Sequence, residues 1–109
     1  MMLTDLQQAT ASLADRAWPE DRDNPHLADC LIARLAEETG ELAQAVRLLA
    51  GPRPGRRGEV AATVAEIEDE LGDCLFLLAR LAVATGASLK AAAWRVVAKI
   101  ERRIDSAAD

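Results

Sequence analysis

The chain has 109 residues, half of them hydrophobic and 3% aromatic, and its formal net charge is −5. This length suits one domain, so we expect a single helical domain over residues 1–109. The acidic balance argues against a nucleic-acid polymer or an anionic membrane as the partner, because both attract basic surfaces. The scarcity of aromatic residues and the abundance of alanine favour helices over a sheet.

The absence of targeting signals and the pattern of cysteines narrow the possible classes of protein further. No apolar run is long enough to span a membrane, and no basic stretch followed by an apolar one opens the chain, so we expect neither a membrane span nor a secretory signal. Cys30 and Cys74 stand alone in helical patterns. They are predicted to be small buried thiols in a reducing cytoplasm. With one histidine and no Cys-x-x-Cys pair, a zinc site is disfavoured.

The first predicted helix runs from Leu3 to Ala17, with Thr4 as a possible cap. It ends at Trp18-Pro19, because the residue before a proline is pushed out of helical geometry. Trp18 is predicted to pack in the core or at a subunit contact. A polar connection then runs to Asn24.

The second predicted helix runs from about Pro25 to Ala50, with Asn24 as its cap. One position of its apolar seam holds Glu38, where a leucine would be expected. Glu41 follows three residues later on the same side, about 5–6 Å away at Cβ. The apolar members of the seam are Leu31, Leu35, Leu42, Ala45 and Leu49.

Residues 51–58 read GPRPGRRG and break the helical pattern. They carry Arg53, Arg56 and Arg57. The segment either binds a triphosphate or is a solvated turn, and the sequence leaves both interpretations open. It is not a glycine-rich phosphate loop, because no Gly-Lys-Ser/Thr ends it.

The third predicted helix runs from about Glu59 to Thr85. Glu70 and Asp73 are three residues apart on the flank of its seam, and the half from Cys74 to Val83 is predicted to be buried nearly all round. Its seam residues are Ile67, Leu71, Cys74, Leu78 and Leu81.

The fourth predicted helix runs from about Leu89 to Ile104, after Gly86 ends the third helix and Ser88 caps the fourth. Its last turns are basic. The positive charges either complement the helix C-terminus or bind substrate. The basic residues are Lys99, Arg102 and Arg103, and the predicted inward residues are Leu89, Ala93, Val96, Ile100 and Ile104.

If the second and third helices are antiparallel, their acidic residues meet. Counting at about 1.5 Å per residue from the connecting loop places Glu41 opposite Glu70 and Glu38 opposite Asp73. Gly40 and Gly72 fall at the same level, which suggests a close approach of backbone or ligand.

Four carboxylates at a half-buried seam repel one another and resist desolvation, and a hard cation removes both problems. Mg²⁺, or alternatively Mn²⁺, takes oxygen ligands and keeps positions for phosphate oxygens. The pattern therefore indicates a metal site, held by Glu38, Glu41, Glu70 and Asp73, for a polyphosphate ester. The alternative is that these acids form ordinary solvated helix faces.

The pattern Glu-Glu-x-x-Glu, a 28-residue gap and Glu-x-x-Asp resembles the MazG-like all-α nucleoside triphosphate pyrophosphohydrolases. The surrounding segments LAEETGEL (residues 35–42) and ELGDCLFLL (residues 70–78) agree, and the resemblance covers about His26 to Ile104. It implies a four-helix bundle-like fold that assembles as a homodimer or homotetramer, with the site near the interface. It also implies Mg²⁺-dependent hydrolysis of a nucleoside triphosphate to the monophosphate and pyrophosphate.

The same resemblance assigns roles to single residues. Glu38, Glu41, Glu70 and Asp73 would be the metal ligands, and Glu37 would orient or deprotonate the attacking water. Lys99 and Arg103 match the terminal Lys-x-x-x-Arg element that binds substrate phosphates in relatives. Val97 replaces an asparagine that relatives often carry in the nucleotide pocket, which puts base or sugar recognition in doubt.

Other functions share parts of this pattern. A phosphoribosyl-ATP pyrophosphohydrolase has the same acidic arrangement, although the sequence Glu-Leu-Gly-Asp favours the MazG-like family. A di-iron bundle needs two Glu-x-x-His motifs, which one histidine cannot supply. A non-enzymatic helical module would use the acids to bind a basic partner. The sequence does not identify the nucleotide, and removal of aberrant nucleotides is a role that only the resemblance suggests.

Overall fold

The computed structural model describes residues 2–108 and contains four α-helices and one 3-10 helix. Helix α1 spans Leu3–Ala17, α2 spans Leu27–Leu49, α3 spans Val64–Thr85 and α4 spans Leu89–Ala108. The 3-10 helix, Pro19–Asp23, connects α1 to α2. No β-strand occurs in the described part of the chain, and the predicted all-α class is confirmed.

Helices α2 and α3 form an antiparallel hairpin with the largest helix–helix contact in the structure. At the connecting loop, the backbone N–H of Ala62 donates to the Leu48 carbonyl over 2.9 Å. At the far end, Leu27 and Val83 line one cavity. The buried apolar core is small and lies mostly on α3: it comprises Leu31, Cys74, Leu77, Ala79 and Ala82.

Helix α1 packs on α3 and also holds the start of α4. The Gln7 side chain donates to the Ala87 carbonyl over 2.8 Å and accepts from the Leu89 backbone N–H over 3.0 Å. Helix α4 bends away from α3 by 107° and packs mainly against α1. Most of the surface of α4 therefore has no neighbour within the chain.

Trp18 is half-buried and packs at the joint between α1 and α3, as the packing interpretation predicts. Its ring lies 6.4 Å from the Phe76 ring and 4.8 Å from the Arg80 guanidinium. Arg80 is only 5% exposed and donates to Asp21 over 2.9 Å, so its buried charge is paired. This aromatic and ionic cluster attaches the 3-10 helix to α3.

Two predicted helix starts are wrong by a few residues. Helix α2 begins at Leu27 rather than Pro25, because the Asn24 side chain accepts the His26 backbone N–H and closes a turn first. Helix α3 begins at Val64 rather than Glu59, because Thr63 and Glu66 form a reciprocal capping box there.

The predictions for the other helix ends have mixed outcomes. Gly86 ends α3 in the left-handed conformation, and the Ser88 hydroxyl accepts the Ala91 backbone N–H at the start of α4. Thr4 lies inside α1, whose cap position is Met2, so the predicted cap is wrong. Helix α4 continues past Ile104 to Ala108.

Several residues predicted to be buried are exposed in the single chain. On α3, Leu71 is 51% exposed and Leu78 is 41% exposed. On α4, the predicted inward residues Val96, Ile100 and Ile104 are also exposed. Cys74 is buried as expected, whereas Cys30 is exposed on α2. Apolar residues do recur at helical spacing, but many of them lie on surfaces that face away from this chain's own core.

No single helix among residues 2–108 is both long and apolar enough to cross a membrane. Helices α3 and α4 meet the length and composition criterion only when taken together across their bend.

A partly buried ion pair connects the end of α2 to the loop before α3. Arg47 donates to the two oxygens of Glu59 over 2.6 and 3.4 Å, and Glu59 Oε1 also accepts the Arg53 backbone N–H over 2.9 Å. The hydrogen bonds from Arg47 and then from Arg53 lower the pKa of Glu59 from 4.5 to about 2. Glu59 was predicted to start α3, and this contact explains why it lies outside the helix instead.

We predict that Glu59→Gln destabilises the protein at neutral pH, because glutamine cannot form the ion pair. A lowered folded-state pKa contributes stability that is complete above the unfolded value of 4.5 and is lost as the pH falls toward about 2. The difference between wild type and variant should therefore shrink over that window. Chemical denaturation at a series of pH values measures it, with Glu68→Gln on the exposed face of α3 as the control. A difference that stays constant across the window would contradict the assignment.

Candidate metal centre

Three carboxylates meet between α2 and α3. Glu38 and Glu41 come from α2, Glu70 comes from α3, and one oxygen of each lies within 4.8 Å of the others. The three-residue spacing of Glu38 and Glu41 places both on one side of α2, and the antiparallel hairpin brings Glu70 to the same level. We call these three residues the carboxylate cluster.

Two oxygens of the cluster are sealed from solvent and have no partner. Glu38 Oε2 and Glu70 Oε2 are buried without a hydrogen-bond donor. A buried carboxylate oxygen without a donor or cation is costly, and such groups in native proteins are nearly always satisfied. A bound cation satisfies both oxygens, so the donor set fits a divalent metal that prefers oxygen ligands.

The electrostatics of the cluster are consistent with a bound cation. Burial, followed by the charge of Glu41, raises the pKa of Glu38, and the same two causes raise the pKa of Glu70. Burial also raises the pKa of the Cys74 thiol, and the charges of Glu38 and Glu70 add to the effect. Cys74 is buried in α3, and its sulfur is not among the ligand atoms that lie within 4.8 Å of one another in the described residues.

Asp73 and Glu37 lie at the edge of the cluster. Asp73 is close enough for its charge to raise the pKa of both Glu38 and Glu70, but its oxygens do not join the tight group among the described residues. Glu37 is exposed and lines an open pocket beside Glu41. Three of the five predicted acids therefore meet in the cluster, Asp73 lies near it, and Glu37 lines the pocket beside it.

The open pocket beside the cluster has a volume of about 640 Å³, and we call it the carboxylate pocket. Its acidic end holds Glu37, Glu41 and Glu70. Its other end is formed by the end of α2 and by the loop before α3: Leu48, Val60 and Ala62. The pocket is thus long enough to extend from the acids toward the loop.

The glycines do not have the neighbours that the sequence suggested. A Cβ added at Gly40 or Gly72 would meet nothing within 4 Å, so no other backbone approaches either residue within the described chain. Gly40 instead forms part of the wall of the carboxylate pocket, whereas Gly72 lies on the exposed surface of α3. The predicted close approach of backbone is therefore wrong in the single chain.

The two predicted phosphate-binding residues are not beside the acids. Lys99 lines a separate shallow pocket on α4 with Arg95 and Arg102. Neither Lys99 nor Arg103 lines the carboxylate pocket. The cause is the bend after Gly86, which directs α4 away from the hairpin.

Sequence reasoning missed the residues that shape the loop end of the pocket. Gln44, Leu48 and Val60 line it, and Val60 is 74% exposed although it is apolar. Gln44 could have been found from the sequence, because it follows Glu41 by three residues on α2. Val60 could not, because its position depends on the ion pair between Arg47 and Glu59.

Fold and site together define an all-α protein whose helical hairpin carries a partly buried carboxylate cluster. Residues 28–107 match the sequence model of the MazG nucleotide pyrophosphohydrolase domain. The match covers most of the chain, and this protein belongs to the MazG nucleotide pyrophosphohydrolase family.

One relative of this chain is the uncharacterized protein YpjD of Bacillus subtilis (strain 168). The two are 40% identical over 73 residues, which is 67% of this chain and 63% of the relative. The chain therefore spans less than two thirds of the length of that protein. No solved structure matches the chain.

We predict that Glu38→Gln raises the melting temperature when divalent metal is removed by a chelator, because it relieves repulsion in the cluster. The same change should abolish the stabilisation that Mg²⁺ gives to the wild type, because a ligand that binds only the folded state stabilises it by mass action. Thermal denaturation with chelator and with a Mg²⁺ series measures both effects.

The matched control is Glu68→Gln, which removes the same charge from an exposed position of α3. It should respond to Mg²⁺ as the wild type does. Equal Mg²⁺ responses of Glu38→Gln and Glu68→Gln would show that the cluster is not the metal site.

Proposed function

We propose that this protein hydrolyses a nucleoside triphosphate to the monophosphate and pyrophosphate with Mg²⁺ bound at the carboxylate cluster. The observation that carries the proposal is the pair of buried, partnerless oxygens on Glu38 and Glu70, two residues of the cluster whose ligand oxygens lie within 4.8 Å of one another. Membership of the nucleotide pyrophosphohydrolase family supports the reaction class. The identity of the nucleotide and the dependence on Mg²⁺ belong to the proposal.

The chain supplies an all-oxygen ligand set. Glu38, Glu41 and Glu70 would hold the metal, and Asp73, three residues after Glu70 on α3, would complete the set. Mg²⁺ fits better than softer metals because no thiolate or imidazole is available at the cluster, and Mn²⁺ shares the preference for oxygen. When bound, the metal neutralises phosphate oxygens and makes water a better nucleophile.

The proposed reaction is an attack of water on the α-phosphorus. The new bond joins the water oxygen to the α-phosphorus, and the bond from that phosphorus to the α,β-bridging oxygen breaks, so pyrophosphate leaves. Glu37 lines the same pocket as Glu41, and in this proposal it would accept a proton from the water. Its exposed side chain can turn toward the pocket without disturbing the core.

We also propose that the working form is a homo-oligomer. The radius of gyration is 17.6 Å, whereas a compact chain of this length is expected near 13 Å. Leu71, Leu75 and Leu78 form one exposed apolar face of α3. A second copy packed on this face and on α4 would bury it, because exposed apolar surface of this extent marks an interaction site.

The oligomer also explains the position of the basic residues. Within one chain, Lys99 and Arg103 are turned away from the carboxylate pocket by the bend between α3 and α4. Packing of α4 against a neighbouring hairpin would bring both residues to that neighbour's pocket. There they would neutralise the phosphates of the leaving group.

We predict that, with Mg²⁺, the protein converts at least one nucleoside triphosphate of a panel to its monophosphate and pyrophosphate. Reaction in ¹⁸O-water should place the label in the monophosphate, because the attack is on the α-phosphorus. Glu37→Gln should lower kcat by about 10²–10⁴-fold, the usual contribution of a positioned base. Mass spectrometry of the products and steady-state kinetics measure these effects.

The panel should contain standard and damaged nucleotides, phosphoribosyl-ATP and an alarmone. Glu38→Gln and Asp73→Asn should abolish turnover, and Glu68→Gln should leave it unchanged. Label in pyrophosphate would refute attack at the α-phosphorus. Absence of turnover on the entire panel would favour the helical interaction module.

We predict that the protein sediments as a dimer or larger species and that Leu78→Glu dissociates it, because a carboxylate cannot be buried in an apolar interface without a partner. Gln8→Glu, which adds the same charge to an exposed position of α1, is the control. Analytical ultracentrifugation measures the mass of each variant. A monomeric wild type at all concentrations would exclude the proposed assembly.

A further inference from the structure

The end of the carboxylate pocket nearest the α2–α3 connection, which we call the loop end, differs in character from the acidic end. Leu48, Val60 and Ala62 form its apolar wall, and Gln44 and Glu66 line the pocket between that wall and the carboxylates. Among residues 2–108, no lysine, arginine or histidine lines the pocket. An apolar wall without a cation suits a nucleoside, whereas a chain of phosphates needs positive charge.

The chain itself holds the apolar wall in place. The backbone N–H of Ala62 donates to the Leu48 carbonyl over 2.9 Å. Glu59, the neighbour of Val60, is fixed by its ion pair with Arg47. Val60 is thereby kept at the surface, 74% exposed, where it lines the pocket. Pre-formed pockets with apolar walls and a few polar groups are typical of sites for small molecules.

The dimensions of the pocket match a nucleotide whose phosphate is bound at the carboxylate cluster. Glu41 and Leu48 are seven residues apart on α2, so the acids and the apolar wall are separated by about 10 Å along the helix. The volume of about 640 Å³ lies within the range of ligand pockets. A nucleoside attached to a phosphate at the cluster would therefore extend to the loop end.

The two polar side chains next to the apolar wall offer mainly hydrogen-bond acceptors. Glu66 Oε2 accepts the Thr63 backbone N–H over 3.0 Å, which orients the carboxylate, and Oε1 makes no hydrogen bond among residues 2–108. The Gln44 amide offers one acceptor and two N–H donors. A base edge with an amino group beside an unprotonated ring nitrogen complements this set. A keto edge would turn its carbonyl oxygen toward a carboxylate, which cannot donate.

We propose that the loop end is the subsite for the base and that Gln44 and Glu66 select a base with an amino edge, cytosine or adenine. The proposal rests on the proposed function and adds a direction to it. The nucleoside extends from the carboxylate cluster toward Val60, and the β- and γ-phosphates extend the opposite way. Gln44 and Glu66 determine specificity and take no part in the bond-breaking step.

The test measures the affinity of the protein, with Mg²⁺, for two matched pairs of nucleoside monophosphates. CMP and UMP share the sugar and the phosphate and differ in the base edge, and so do AMP and IMP. CMP should bind about fivefold or more tightly than UMP, and AMP than IMP, which corresponds to one additional hydrogen bond. Calorimetric titration measures these affinities without requiring turnover.

Two variants test the residues that select the base. Gln44→Leu keeps the bulk of the side chain and removes the amide, so the preference within each pair should fall while the affinity for pyrophosphate stays unchanged. Glu66→Gln retains a residue that can form the capping box and removes the carboxylate, so it should also reduce the preference. The matched controls are Gln8→Leu and Glu68→Gln at exposed positions of α1 and α3, and both should behave as the wild type.

A third variant tests which molecule covers the apolar wall. Val60→Asn should weaken binding of all four monophosphates by about fivefold or more, because the apolar contact with the base is lost. It should leave the affinity for pyrophosphate and the sedimenting mass unchanged. The control is Val64→Asn, at a position that is 63% exposed and does not line the pocket.

Four outcomes would overturn the base subsite. These are equal affinities within both pairs, no measurable binding of any monophosphate, an equal loss of pyrophosphate affinity in Gln44→Leu, and a lower mass of Val60→Asn. The last would mean that a second copy covers the wall. Absence of turnover on every nucleotide, with the preference for CMP and AMP intact, would count against the proposed function alone. Turnover without that preference would count against the base subsite alone.

Discussion

The structure depends on one unfavourable interaction, the mutual repulsion of three carboxylates in the seam between α2 and α3. Glu38, Glu41 and Glu70 approach within 4.8 Å, and two of their oxygens have neither solvent nor a donor. Apolar packing of Leu31, Cys74 and Leu77 holds the two helices together around this repulsion. A fold that keeps such a group at its centre has a specific use for it. The donor set fits a divalent cation, and membership of the family supports the proposed use of that cation in nucleotide hydrolysis.

The single chain also leaves apolar surface uncovered. The charged seam limits how much apolar surface α2 and α3 can bury, and α4 bends away after Gly86 instead of covering the hairpin. Leu71, Leu75 and Leu78 remain on the surface as a consequence. Lys99 and Arg103 lie on α4 and do not line the carboxylate pocket. Under the proposed function, they would reach such a pocket from a second copy.

The sequence predicted the class of fold and the acidic centre well, because both depend on local rules. Helical periodicity located all four helices, and three-residue spacing placed Glu38 with Glu41 and Glu70 with Asp73. The counting argument paired Glu41 with Glu70 correctly although α3 begins five residues later than predicted. The predicted start of α3 at Glu59 was wrong, because a contact with Arg47, twelve residues away, overrides the local helical preference. Periodicity also identified Leu78 and Ile100 as apolar positions but could not tell whether the surface that covers them belongs to the same chain.

The central claim is that Glu38, Glu41 and Glu70 hold a divalent metal, and the most direct measurement is anomalous diffraction from crystals grown with Mn²⁺. The account predicts an anomalous peak between α2 and α3, within coordination distance of oxygens from all three glutamates. A peak elsewhere, or full Mn²⁺ exposure without any peak at the cluster, would contradict it. In that case the buried oxygens of Glu38 and Glu70 would have to be satisfied by protons, and the proposed chemistry would lose its basis.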